Sequence, residues 1–228
     1  VKAVTLRSHK AGQGTTVTAC ALALALAEAG HRVALVSNDI DTRAALALPT
    51  GDELSTEVKT RLHLLDVTRF GELDTLALAG LVGLSDLPPR FDVIVTDLHD
   101  DTPTAATLAA HGFTAHAVEV VTADYLALRR STQAAHAGAE RRQHVVLIVE
   151  DGRALTTADV RSVLAPAGDL VEVKRTAAVA RQLDAGLLAH RLSADLAPLV
   201  EFAESLLREP HRVTAAPKAR RTAKGAGK

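Results

Sequence analysis

The segment Ser8-His9-Lys10-Ala11-Gly12-Gln13-Gly14-Thr15-Thr16 lies between a short apolar run, Val1–Leu6, and an alanine- and leucine-rich run, Thr16–Ala29, that stops at Gly30. Strand, glycine loop and helix in that order constrain the fold more than any other feature of the chain. Glycines let backbone amides approach a polyphosphate closely, and the positive end of the following helix favours an anion there. A phosphate loop of this kind makes Gly12, Gly14, Thr15 and Thr16 the candidate nucleotide-binding residues. The Thr16 hydroxyl, on the first helical turn, falls where the Mg²⁺ of a nucleotide is held.

Further apolar runs predict strands at Arg32–Val36, Leu62–Val67, Phe91–Thr96, Ala115–Val121, Val145–Val149 and Leu170–Val173. Helical patterns lie between most of them: Pro103–Ala110, Tyr125–Ala137, Thr157–Leu164 and Ala177–Leu188, with Asp195–Leu207 closing the body. Alternating strands and helices imply right-handed crossovers and an α/β fold, a doubly wound, mostly parallel sheet with helices on both faces. Its ligand crevice is then expected at the carboxyl ends of the strands. Pro49–Lys59 reads as a polar connection. One domain over residues 1–208 and a disordered basic tail over 209–228 account for the length.

Only 2% of the residues are aromatic, which calls for a core of Ala, Leu and Val and leaves little surface for stacking bases or sugars. Cys20 is the sole cysteine; it excludes an internal disulfide and reads as a small buried helix residue. No two of the ten histidines stand at i, i+4 beside an acid, the pattern of a helical metal site, and no structural metal is expected. The longest apolar stretch, Ala19–Ala27, is too short to span a bilayer, and no secretory signal pattern opens the chain, so a cytoplasmic location without membrane attachment is expected. The net charge of −1 conceals an asymmetry, because residues 212–228 carry six Lys/Arg and no acid.

The phosphate loop resembles that of the ParA/MinD family, the deviant Walker A ATPases, which reads S-G-K-G-G-V-G-K-T. Ser8, Lys10, Gly12, Gly14 and Thr16 match. The resemblance implies ATP and Mg²⁺ as cofactors. It also makes Lys10 the signature lysine that reaches the partner's phosphates in a nucleotide-dependent homodimer. Thr15 departs where the family supplies a lysine to the β- and γ-phosphates. Losing that charge-assisted hydrogen bond removes about 1.5–3 kcal/mol, or one to two orders of magnitude in affinity. The chain thus resembles a degenerate member, with hydrolysis weak or absent.

Two acids extend the resemblance. Val33-Ala34-Leu35-Val36-Ser37-Asn38-Asp39 looks like the family's V-L-L-I-D-A-D segment, with Ser37 in place of its first acid. That makes Asp39 the catalytic candidate for positioning the attacking water. Phe91-Asp92-Val93-Ile94-Val95-Thr96-Asp97 is similar to the Walker B segment, which makes Asp97, with Thr16, a candidate Mg²⁺ ligand. Val120-Val121-Thr122-Ala123-Asp124-Tyr125-Leu126-Ala127-Leu128-Arg129 resembles V-x-T-P-x-x-x-A-L-R. No adenine-binding residue can be assigned, since Glu150-Asp151-Gly152 stands where the family often has asparagine.

Residues 209–228 have Val213 as their only large aliphatic and no apolar face, unlike the membrane helix that ends MinD-like chains. Lys218, Arg220, Arg221 and Lys224 read instead as a cationic arm for the phosphates of nonspecific DNA. Arg129, Arg130, Arg141 and Arg142 would add a basic surface of the same use. The expected function is a ParA-like partitioning or positioning protein that binds ATP weakly and nonspecific DNA, with a ParB-like or other protein partner. The alternative is a pseudo-ATPase scaffold of the same fold that positions a protein partner.

Overall fold

The computed structural model describes residues 1–51, 53–67, 91–98, 105–137 and 143–208. Eight strands form one sheet: β1 (Lys2–Arg7), β2 (Val33–Ser37), β3 (Ser55–Lys59), β4 (Leu62–Asp66), β5 (Val93–Asp97), β6 (Thr114–Thr122), β7 (His144–Val149) and β8 (Leu170–Lys174). Their spatial order is β3-β4-β2-β5-β1-β6-β7-β8. Every pairing is parallel except β3 with β4. Parallel strands need covered crossovers, and both faces of this sheet are apolar accordingly.

Side chains alternate between those faces with period two. Val4, Leu6, Leu35, Val93 and Val95 pack in one cluster with α1 (Thr15–Glu28). That layer also contains α6 (Ala177–Asp184) and α7 (Ala197–Arg208), which is entered through a 3-10 turn at Ala194–Leu196. The short α2 (Asp41–Ala45) packs against α1. On the opposite face Ala34, Val36 and Ile94 meet α3 (Ala105–Ala110), and Val145 and Leu147 meet α4 (Tyr125–His136) and α5 (Thr157–Leu164).

Helix α1 is buried continuously from Thr18 to Ala27. Its alternating Ala and Leu let the sheet approach on one side and α7 on the other. The helix ends in a left-handed Gly30 at φ 98, with the His31 amide donating to Leu26 O at 3.1 Å and the Gly30 amide to Ala27 O at 3.0 Å. This pair of bonds satisfies carbonyls that would otherwise be orphaned. Helix α4 starts on Asp124, whose carboxylate accepts the Ala127 amide at 2.8 Å, and α5 starts on a reciprocal cap between Thr156 and Asp159.

Two elements depart from the sequence pattern. The polar connection Pro49–Lys59 contains β3, a half-exposed edge strand whose Ser, Thr and Glu give no apolar run. Helix α2 leaves no mark in the sequence pattern, because five residues are too few to show a helical period. The remaining strands shift by one or two residues from their expected ends, and the predicted helix at Thr157–Leu164 coincides with α5. Residues 209–228 lie outside the described residues. Replacement of Leu22, which is 0% exposed on α1, by alanine should cost about 2–5 kcal/mol. Urea denaturation of Leu22→Ala against the parent measures it, and a change below about 1 kcal/mol would contradict the packing of α1.

Candidate functional site

Strand β1 lies in the middle of the sheet, between β5 and β6, and the chain leaves it and β6 toward opposite faces, through α1 and α4. A crevice opens where two such connections diverge. The loop at Ser8–Thr16 fills the near side of that crevice, and an open cleft of about 1800 Å³ extends from it past α2 toward the end of α6.

The loop adopts the conformation its glycines permit. Gly12 and Gly14 have φ 74 and 85, and Gly14 immediately precedes α1. A Cβ at Gly12 would meet nothing within 4 Å, so the loop surface there is open rather than plugged by protein atoms. Any side chain would be strained at these angles. Gln13, which departs from the family pattern, is 3% exposed. Its Oε1 accepts the Thr122 amide at 2.7 Å and lies 2.8 Å from the Thr122 hydroxyl, which fastens the loop to the end of β6. From the other side, Arg175 donates to Gly12 O at 3.0 Å and pairs with Glu150 at 2.6 Å.

Lys10 does not point freely into solvent. Its Nζ donates to Asp124 Oδ2 at 2.9 Å, within the same chain. Burial acts to raise the Asp124 pKa, but the Thr122 hydroxyl, the Ala127 amide and Lys10 together more than reverse it and hold the carboxyl at about 2. Asp124 therefore caps α4 and anchors Lys10 at once. Its importance was hidden in the sequence, because cap and lysine lie 114 residues apart.

Thr15 is 8% exposed and neutral. Next to it, the Thr16 hydroxyl donates to Asp39 Oδ2 at 2.7 Å, while Asp39 Oδ1 accepts the Asp41 amide at 2.8 Å. Ser37, which replaces the family's first acid, is buried and exchanges a hydrogen bond with Thr42 at 2.7 Å. Asp97 ends β5 opposite Leu6 of β1 and Ser37 of β2. Strand alternation puts it on the α1 face with Val93 and Val95. At 1% exposure it sits behind the cleft rather than on its lining. The Cys20 thiol, one turn beyond Thr16, registers both acids: burial raises its pKa first, then the charges of Asp97 and Asp39. Thr16, Asp39 and Asp97 thus gather around the start of α1. A hydroxyl and two carboxylates are the hard oxygen donors that Mg²⁺ takes, and the residues present fit that ion. Lys218, Arg220, Arg221 and Lys224, like Arg141 and Arg142, lie outside the described residues.

A profile of the CobQ/CobB/MinD/ParA nucleotide-binding domain matches residues 4–214. The chain belongs to this family. Solved structures of ParA/MinD proteins share its fold. The MinC:MinD cell division complex of Aquifex aeolicus aligns with a TM-score of 0.67 at 16% identity, over 94% of this chain and 99% of that one. A ParA family ATPase from Chlorobium tepidum TLS gives 0.68 at 15%, over 89% and 98%. The septum site-determining protein MinD of Pyrococcus horikoshii OT3, complexed with Mg-ADP, gives 0.64 at 16%, over 91% and 96%. At such identity the likeness establishes the fold alone. No individual curated protein matches in sequence. Among the described residues no helix is long and apolar enough to cross a membrane.

Because Asp124 titrates at about 2 rather than 3.8, its ionised form stabilises the folded state above about pH 4, and that contribution disappears as pH falls through 2. Urea denaturation from pH 2 to 6 should show Asp124→Asn less stable than the parent at pH 6, with the gap closing toward pH 2. A gap independent of pH would show that the charge on Asp124 does not stabilise the fold.

Proposed function

We propose that this chain is a ParA-like partitioning or positioning protein that binds ATP weakly, as its Mg²⁺ complex, and associates with nonspecific DNA. The observation that carries the reading is the open, left-handed loop at Gly12 and Gly14, leading into α1 with Thr16 and Asp39 in contact at 2.7 Å. Exposed loop amides and the start of a long helix suit an anion. In this reading Gly12, Gly14, Thr15 and Thr16 enclose the phosphates, and Thr16 and Asp97 hold the metal. When bound, Mg²⁺ would offset the charge of the β- and γ-phosphates.

Asp39 serves as the water-positioning acid, with Asp41 beside it. Lys10 has to leave Asp124 before it can reach the phosphates of a second copy, so a nucleotide-dependent homodimer forms only at the expense of that ion pair. The Mg-ADP complex of the Pyrococcus horikoshii MinD supports the cofactor assignment. The MinC:MinD complex of Aquifex aeolicus supports a protein partner, whether ParB-like or of another kind.

Two residues favour a second reading, a pseudo-ATPase scaffold that positions a protein partner. Thr15 supplies no charge, and Lys10 is already occupied by Asp124. The loop would then be a structural turn, held by Gln13 and Arg175. Titration of a fluorescent ATP analogue with Mg²⁺ separates the readings. Saturation in the range of about 10 µM to 1 mM, roughly 7 to 4 kcal/mol of affinity, is expected for the switch. No saturation at several millimolar would leave the scaffold.

Nonspecific DNA association is assigned to Lys218, Arg220, Arg221 and Lys224. Retention on a DNA column with nucleotide should fall on removal of residues 212–228, and fall steeply with salt in the full chain. Equal retention by the truncated chain would move the DNA site onto the folded body or eliminate it.

A further inference from the structure

Basic residues line the cleft whose loop carries the neutral Thr15. Besides His9, three basic side chains line it: Arg7, Lys10 and Arg130. Lys10 is taken by Asp124 at 2.9 Å. His9 lies 3.9 Å from the buried Glu119. Arg7 has its Nε buried and is itself engaged. Arg130 differs. It is exposed on α4, and among the described residues it makes no hydrogen bond or ion pair, yet its side chain lines the same cleft as Thr15 and Thr16. Its neighbour Arg129 is also exposed but takes no part in that lining.

We infer that Arg130 supplies the positive charge for the terminal phosphates of the bound nucleotide that Thr15 cannot, an inference that rests on the nucleotide-binding reading above. Guanidinium suits the task. It is planar, remains charged, and offers paired donors to phosphate oxygens. Among the described residues Arg130 has no ion pair to break before it binds an anion, whereas Lys10 must first give up Asp124. The charge thus comes from α4, the helix that Asp124 caps, rather than from the loop itself. This use of Arg130 replaces its expected place on a DNA-binding surface.

Binding of fluorescent ATP with Mg²⁺, and its displacement by inorganic tripolyphosphate, should be measured for the parent, Arg130→Ala, Arg130→Lys, Arg129→Ala and Thr15→Lys, alone and combined with Arg130→Ala. Arg129→Ala sets the loss due to net charge alone. Arg130→Ala should weaken both ligands about tenfold beyond that level. Arg130→Lys should keep part of the affinity, and thermal melts should stay unchanged because the side chain is exposed. Thr15→Lys should tighten binding and shrink the effect of Arg130→Ala, since one charge then serves for the other. If the parent binds and Arg130→Ala stays within twofold of Arg129→Ala, the role of Arg130 is refuted while the nucleotide reading stands. If the parent binds neither ligand, both fall.

Discussion

The fastening of the loop to β6 is the constraint on which the site depends. A loop with two left-handed glycines is entropically expensive to hold in one shape. Here Gln13 gives up its exposure to accept the Thr122 amide at 2.7 Å, and Lys10 bridges to Asp124 two residues farther on. Both contacts cross from β1 to β6, the strands whose following connections diverge to opposite faces of the sheet. They hold together the two lips of the crevice. Arg175 closes the third side through Gly12 O. The loop is therefore shaped before any ligand arrives, which lowers the ordering cost that binding would otherwise carry.

Charge in the cleft is nearly balanced. Arg7, Lys10 and Arg130 line it, and so do Asp39, Asp41 and Asp184. A polyanion entering such a space gains little from net charge and must rely on directed donors: loop amides, the α1 dipole and whichever cations can turn toward it. Three like-signed acids also repel an unaccompanied triphosphate. In the proposed reading, accompanying Mg²⁺ would offset that repulsion, with Thr16 and Asp97 to hold it. The loss of one lysine matters more here than it would in a strongly basic pocket.

Local features were legible in the sequence. The strand–loop–helix at Val1–Ala29 needs only neighbouring residues to specify it, Asp97 ends the apolar run of β5, and Asp39 lies three residues beyond the run Val33–Val36. Contacts that depend on register were not. Asp124 was visible within a matching segment, but nothing local says that it meets Lys10, because the sheet order that brings β1 beside β6 is set by crossovers. Arg129 and Arg130 look alike as letters. Which of them turns to the cleft depends on how α4 is rotated on Val145 and Leu147. Edge strand β3 escaped notice for a different reason, since a half-exposed strand of Ser, Thr and Glu has no apolar side to announce it.

One carboxylate links the loop to the rest of the cleft. Asp39 receives the Thr16 hydroxyl through Oδ2 and the Asp41 amide through Oδ1, so the first turn of α1 and the start of α2 share it. Arg43 on α2 in turn holds Asp66 at 2.6 Å, with further bonds to Pro49 O and Glu53 O. Just past α2, Ala47 closes against Gly186, where an added Cβ would approach the Ala47 side chain to 2.8 Å. The Thr16 hydroxyl donates its one proton to Asp39 and keeps its lone pairs to accept, so a cation held there would leave that hydrogen bond in place. Whatever reorients Asp39 acts at once on the α2 start, and α2 is tied through Arg43 to the sheet edge and through Ala47 to the far wall. The first turn of α1 is thus joined through Asp39 and α2 to the opposite side of the cleft, by contacts that do not involve the residue at Thr15.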